Sequence, residues 1–388
     1  MKVFVYPTDT AGCGHFRLIW PAQVLAAQGH DVTVIDPASR MFNLVLDRQN
    51  DRPISVNMPD CDVFVTQRLS HKYLAAAVPL IRARGTAVVI AMDDNLDEVS
   101  PRNLARALYH PARALGVDQG HHADNIRQAC RDATMVTTST PALAEHYGAP
   151  GRVRVLPNYL PGIYYPAPER VDHADIWWPA TVDTHPDDPG VCGNAVERVV
   201  ASHPHVRFRS IVVAHNAEIC GQAFQLRYPV SPVPPANVMG WPALVAQAGI
   251  GIAPLEKGIF NAGKSALKPL EMMSQGVPYV ASPSVEYRRL HKHTKVGLLA
   301  STPAEWFDLL DRLVREPNLR ADQSAAGVAA AVKYRFEDHA WRWWQAWTDA
   351  MLLQRRVHYQ GRPPGHLAAK VSPSAPAWAA SSGRRIVQ

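Results

Sequence analysis

"GIFNAGKSALKPLE", residues 258–271, admits two readings, and the choice between them decides the fold. Gly258, Gly263, Lys264 and Ser265 fit G-x-x-x-x-G-K-[ST], the phosphate-cradling P-loop. A P-loop sets its lysine and serine at the opening of a helix directly after a strand. Pro269 opposes that arrangement. A helix begun at Gly263 would carry the proline in its second turn, where the ring deletes a hydrogen bond and clashes, at about 3 kcal/mol. A helix begun nearer Lys268 accepts the same proline in its first turn. The following strand-like run, "VPYVAS", offers no carboxylate to hold Mg²⁺. The stretch therefore reads as a loop leading into a helix that starts near Lys268, and a P-loop NTPase is the unfavoured alternative.

Outward from this stretch, strand-like and helical segments alternate. "KVFVYP", "HDVTVID", "CDVFVTQR", "AVVIAMDD" and "ATMVTTST" read as buried strands with helices between them, the first helix covering 16–28 and ending at Gly29. A Pro/Gly-rich linker is expected near 157–172. A second series follows: "ADIWWPAT", "HVRFRSIVV", "GIGIAPL", "VPYVAS" and "VGLLAS", then helices at 303–316 and 319–333. Strands alternating with helices predict parallel sheets. The expected fold class is α/β, two Rossmann-like domains facing a cleft. The expected boundaries are 1–165 for the first, acceptor-side domain and 172–335 for the second, nucleotide-binding domain. Residues 336–353 are expected to pack back on the body as a helix, because 334–353 holds four of the ten tryptophans. Residues 358–388 read as a basic, disordered tail.

Composition narrows the class. At 388 residues and 47% hydrophobic, the chain can bury two cores. It has no apolar run of membrane-spanning length. The start, "MKVFVYPTDTAG", reads as strand and loop and not as a signal peptide. Five scattered cysteines, none in C-x-x-C, suit free thiols, so a cytoplasmic location is expected. The net charge of +6 lies wholly after Asp349, where six basic and no acidic residues occur. The body is balanced, so an anionic partner would need a local patch or the tail.

The central stretch resembles a segment of GT-B glycosyltransferases related to family 4. Those proteins carry an A-P-L-like strand end, then F-N-x-x-K-S-x-x-K-x-x-E, then G-x-P-x-V-A-S; this chain reads "GIAPLEKGIFNAGKSALKPLEMMSQGVPYVAS". "GCGHFRLIWPAQVLAAQGHDVTVID" is similar to their first glycine loop and helix. "VVIAMDDNLDEVSPRN", "ACRDATMVTTSTPALAEHYG" with "VRVLPNYL", and "TVDTHPDD" resemble further segments in the same order, so the resemblance covers roughly 1–335. It implies transfer of a sugar from a UDP- or GDP-sugar donor, with retained configuration and neither cofactor nor bound metal. The acceptor stays open among a glycan, a lipid, a protein and a modified DNA base, and the tail would suit an anionic acceptor. A nucleotide-sugar-binding protein without catalysis is the different-class alternative.

Residue chemistry agrees with such a donor. Lys264 and Lys268 supply positive charge for a diphosphate, and N–H groups near Ser265 and the helix start add donors. Glu271, three residues beyond Lys268 on one helical face, can accept hydrogen bonds from ribose hydroxyls, the role the resemblance also implies. Asn261 belongs to the same motif. Gly12 and Gly14 permit a tight loop toward the cleft, and Arg17 on the next helix is a second candidate for the diphosphate. Asp93 and Asp94 end a strand on the ligand-binding side of an open sheet and are candidates to orient an acceptor or act as base. Two departures stand out. The family's E-x₇-E has Gly263 in place of its first Glu, leaving Glu256 or another group to contact the sugar. The basic residues expected in the second domain's first loop are missing from "PATVDTHPDDPG", leaving His185 to contact phosphate or acceptor, or to pair with Asp188 at a helix start. "HHAD" (His121, His122, Asp124) suggests a metal only by composition, since adjacent histidines project apart on a helix; no metal site is expected.

Overall fold

A computed structural model describes residues 1–36, 39, 41–104, 106, 121–169, 172–212, 216–360 and 386–387. Its first lobe holds β1 (Val3–Tyr6), β2 (Val32–Val34), β3 (Asn43–Asp47), β4 (Arg52–Asn57), β5 (Val63–Gln67), β6 (Ala87–Met92), β7 (Met135–Thr138) and β8 (Val153–Val155). Six of these form a parallel sheet in the order β2-β1-β5-β6-β7-β8. The second lobe holds β9 (Ile176–Trp178), β10 (Phe208–Ile211), β11 (Ser231–Val233), β12 (Ile250–Ala253), β13 (Tyr279–Ala281) and β14 (Leu298–Leu299), parallel in the order β11-β10-β9-β12-β13-β14. The predicted α/β class with two Rossmann-like sheets is the observed one.

Both sheets are covered on both faces, which is why their strands read as continuous apolar runs. In β1, Val3 and Val5 face one layer and Phe4 and Tyr6 the other. The Phe4 side packs under the Lys72–Ala83 and His122–Asp132 helices. The Val3 side packs under the Trp20–Ala27 helix and, from the far end of the chain, the Trp341–Gln360 helix, whose Trp343 and Trp347 are 1% and 0% exposed. The tryptophan-rich segment is thus core of the first lobe.

Several details were not anticipated. β3 and β4 form an antiparallel hairpin beside the first sheet, and β11 is an edge strand inside a proline-rich run. The first helix begins at Gly12 and passes through a widened π turn at His15–Ile19 before Trp20. Of the tail, 361–385 and 388 lie outside the described residues, while Ile386–Val387 (β15) pairs with β3 at Val45 and Leu44.

The chain passes between the lobes twice, and the passages are joined. Leu160 N–H donates to Tyr334 O at 2.9 Å, and Phe336 N–H donates to Leu160 O at 2.8 Å. Phe16 and Trp20 of the first lobe share an apolar cluster with Leu160, Tyr164 and Leu270, so the lobes meet through a continuous core beneath the cleft. Truncating Trp347 to Ala should cost about 3–5 kcal/mol by the transfer and cavity terms for a buried aromatic. The loss should appear as a lowered denaturant midpoint; an unchanged midpoint would contradict this packing.

Candidate functional site

In each sheet, the ligand-binding crevice of an open α/β fold lies where neighbouring strands leave in opposite directions. In the first sheet this point falls between β1 and β5, and in the second between β9 and β12. The loops after β1 and β9 border a cavity of about 540 Å³. The first lobe contributes the Thr10–Cys13 loop, Phe16 and Asp93; the second contributes His185, Trp241, Lys268 and Glu271.

Asp9 builds the first loop. Its Oδ1 accepts from the N–H groups of Ala11 and Gly14, at 2.9 and 3.1 Å, while Oδ2 takes Gln67 at 2.6 Å and the Arg68 guanidinium. Neither Gly12 nor Gly14 adopts positive φ. Gly14 is needed for close approach instead, since a Cβ there would sit 1.9 Å from Asp9 O, whereas a Cβ on Gly12 would meet nothing within 4 Å. Arg68 extends to Asp93 at 3.8 Å. Burial pushes the Asp93 carboxyl up, but Arg68, the Cys13 thiol and Arg17 outweigh it and hold the group below its usual value.

The second wall centres on the Leu267–Ser274 helix, whose start near Lys268 is the one predicted from Pro269. Glu271 is 6% exposed and accepts from Tyr164 Oη at 2.5 Å. Burial raises its carboxyl to about 7 against the pull of Tyr164, Lys268 and Trp241, whose side chain also donates to it. Burial lowers the Lys268 ammonium to about 8. Lys268 Nζ lies 3.1 Å from His185 Nε2, and His185 Nδ1 lies 2.9 Å from Asp188 Oδ2. Burial, then Lys268, depresses His185 to about 4, so the ring is neutral. Its Nδ1–H donates to Asp188 and its Nε2 accepts from the ammonium. Asn261 Nδ2 closes the line on Asp188 Oδ1 at 2.7 Å.

The sequence candidates therefore separate. Lys268, Glu271, His185, Asp93 and Gly12 border the cavity. Lys264 does not: its Nζ sits 2.7 Å from Asp94 Oδ1 of the other lobe and over the Phe260 ring. Burial would lower the Lys264 ammonium, but Asp94 prevails and raises it. Arg17 is 1% exposed and lies beneath the loop, its Nη1 donating to Leu156 O at 2.7 Å and Asn158 Oδ1 at 2.8 Å. Ser265 accepts from Asn158 Nδ2 at 3.0 Å and lines a separate recess. Asn261 and Glu256 face a neighbouring cavity. The would-be P-loop folds as a short helix, Ile259–Ala262, and so makes no phosphate cradle. Among the described residues, the only three ligand-type groups within 4.8 Å of one another are Cys13, Asp93 and Asp94. Their carboxylates are already engaged by Arg68 and Lys264, with which a cation would have to compete. His121 lies 3.8 Å from Asp124.

Trp241, Tyr164 and the Asp9–Arg68 pair escaped the sequence reading. A tryptophan closing the Pro-rich loop "PVPPANVMGW" was the available signal for the first. Two outcomes test this electrostatic account. The carboxyl of Glu271 binds its proton more tightly folded than unfolded, so it subtracts stability as pH rises from the unfolded value through about 7. Glu271→Gln should therefore raise Tm more at pH ~8 than at pH ~5; an equal shift at both would contradict the raised value. Gly14→Ala should destabilise by about 1–3 kcal/mol through overpacking, while Gly12→Ala leaves Tm unchanged.

No protein-family profile matches this chain, and no curated protein sequence does. Solved structures do. HepE from Anabaena in complex with UDP-glucose superposes with TM-score 0.56 at 12% identity, over 93% of this chain and 99% of that one. Sucrose-phosphate synthase from Thermosynechococcus elongatus gives 0.55 at 12%, over 93% and 100%. TarM from S. aureus, in a complex that includes UDP, gives 0.51 at 12% over 74% of this chain, which spans 55% of the TarM chain. With its two parallel six-stranded sheets facing a cleft, this chain has the GT-B fold.

Proposed function

We propose that the chain is a glycosyltransferase that moves a sugar from a nucleoside diphosphate sugar, with UDP as the nucleotide. The observation that carries this is the placement of Lys268 and Glu271 one helical turn apart in the wall of one cavity, at the first turn of a helix. A diphosphate fits against Lys268 and the first-turn N–H groups, where the helix dipole adds positive potential. Ribose hydroxyls donate to Glu271, which Tyr164 and Trp241 hold in orientation. Trp241 and the adjoining Ala236–Val238 loop supply the apolar wall for the base. HepE and TarM were solved with UDP bound, which supports the choice of base.

In transfer, the bond from the anomeric carbon to the diphosphate oxygen breaks and an acceptor oxygen takes its place. Lys268 meets the charge that grows on the departing diphosphate, an interaction stronger in the transition state than before it. His185 keeps Lys268 aimed by accepting its proton-bearing edge, with Asp188 and Asn261 fixing the ring. Asp93, kept ionised by Arg68, borders the donor cavity from the first lobe and orients the reacting hydroxyl where the acceptor reaches into that cavity. Retention of configuration, an acceptor-side first lobe and a donor-side second lobe complete the reading. Lys264 must leave Asp94 before it can approach a diphosphate.

The test is nucleotide release and binding across UDP-, GDP-, ADP- and TDP-sugars. Release or binding of none of them would remove the reading. Two further outcomes follow. Glu271→Gln should weaken donor binding by about 1.5–3 kcal/mol, and Lys268→Ala should depress turnover as well as affinity. UDP-glucose binding should peak between about 7 and about 8, because Glu271 protonates below that window and Lys268 loses its charge above it. Lys268→Arg should abolish the alkaline limb and Glu271→Gln the acid limb. A flat calorimetric profile across the range contradicts the assignment.

A further inference from the structure

We propose that a second cavity, on the other side of His185, is the acceptor subsite and that it takes a cationic, amine-bearing acceptor. This rests on the glycosyltransferase reading above. The cavity measures about 320 Å³ and draws its walls from both lobes, with Glu98, Ser100 and Asn103 on one side and Asp187, Glu256 and Asn261 on the other. His185 borders both cavities. A molecule seated here is one side chain away from Lys268, and so from the departing diphosphate.

The charge and hydrogen-bonding capacity of the walls select the occupant. Much of the polar surface is already committed. Asp188 is held by His185, Asn261 and the Glu256 N–H, Asp187 by Arg102, and Asn103 Nδ2 by Thr184 O at 2.7 Å. Besides the hydroxyls of Ser100 and Thr184, which can donate or accept, three acceptor groups are left over among the described residues. Glu98 and Glu256 are exposed carboxylates, one from each lobe, with no ion-pair partner. Asn261 is 9% exposed, and its buried Oδ1 has no hydrogen-bond partner. Glu98 and Glu256 are anionic, and among the described residues no Lys or Arg borders the cavity.

The carboxylates here do not converge as metal ligands do: among the described residues only Cys13, Asp93 and Asp94 bring three ligand atoms within 4.8 Å. Spread carboxylates suit an ammonium carried on a larger hydroxylated body. The ammonium anchors the molecule, and one of its hydroxyls reacts. The hydroxyl oxygen bonds to the anomeric carbon as the carbon–diphosphate bond breaks, and its proton passes to the departing diphosphate. The sign of this cavity is opposite to the chain's net charge of +6. An anionic acceptor drawn by the basic tail would be repelled at the site of transfer.

Three probes of similar size and different charge decide the matter: glucosamine, glucose and glucose 6-phosphate. Their binding to the full chain is measured by calorimetry at neutral pH, with and without UDP. Glucosamine should bind about tenfold more tightly than glucose, equivalent to about 1.4 kcal/mol, with glucose 6-phosphate weakest. The double variant Glu98→Gln/Glu256→Gln should erase that preference and leave UDP affinity unchanged. Both residues are exposed, so the variant is expected to fold. Equal binding of glucosamine and glucose, tightest binding of glucose 6-phosphate, or a preference that survives in the double variant would each overturn the proposal. Failure of UDP to bind the unmodified protein would count against the glycosyltransferase reading, while the sugar comparison made without UDP still decides the sign of the cavity.

Discussion

The cleft depends on one short piece of backbone pairing. Leu160 donates to Tyr334 and accepts from Phe336, so the outgoing and returning strands are fastened to each other midway between the sheets. Residues on either side of that point reach the cavity and its surroundings. Tyr164, four residues past it, reaches Glu271. Asn158, two residues before it, joins Arg17 of the first lobe to Ser265 of the second. A hinge made from paired backbone is insensitive to side-chain identity, which explains why its sequence reads only as proline-rich linker.

Above the hinge the lobes are held by opposite charges. Lys264 and Asp94 pair across the cleft, and Thr140 Oγ1 donates to Gly263 O at 3.0 Å beside them. Gly263 stands where the resembling family carries a glutamate. The structure gives a packing reason for the small residue: a Cβ there would approach Leu143 Cδ2 to 2.9 Å. Close contact between the lobes and a carboxylate at that position are in conflict, and this chain has the contact. Within the cavity the charges are balanced differently. Lys268 and Glu271 are both buried and both pulled toward neutrality, so a modest change of partner moves either across neutral pH.

Much of this was legible. Pro269 located the helix start within a residue, and the Lys268–Glu271 spacing placed two groups on one wall. Strand runs gave both sheets because parallel strands buried on two faces cannot hide their hydrophobicity. The illegible parts are those fixed by distant partners. Lys264 and Lys268 look alike in sequence, yet only Lys264 meets Asp94, and nothing local reveals a pairing made across the cleft. His185 could be placed opposite Asp188 from spacing but not beside Lys268. The hairpin of β3 and β4 was missed because neither strand is buried on both faces; β4 alternates buried and exposed positions only in part. Arg17 looked like a phosphate ligand on a helix near a glycine loop, but it lies in the widened turn at His15–Ile19, buried, with its guanidinium spent on Leu156 O and Asn158 Oδ1.

The position of the Trp341–Gln360 helix carries a consequence for biosynthesis. It covers one face of the first sheet, but it is translated after the whole second lobe. When β1 to β8 have left the ribosome, Val3, Val5, Val65 and Val89 still lack the indoles of Trp343 and Trp347 that will bury them. The second lobe meets no such delay, since its strands and covering helices are contiguous in the chain. Order of synthesis and order of completion are thus reversed: until the last described helix arrives, this valine face of the nascent first lobe is covered only by the Trp20–Ala27 helix.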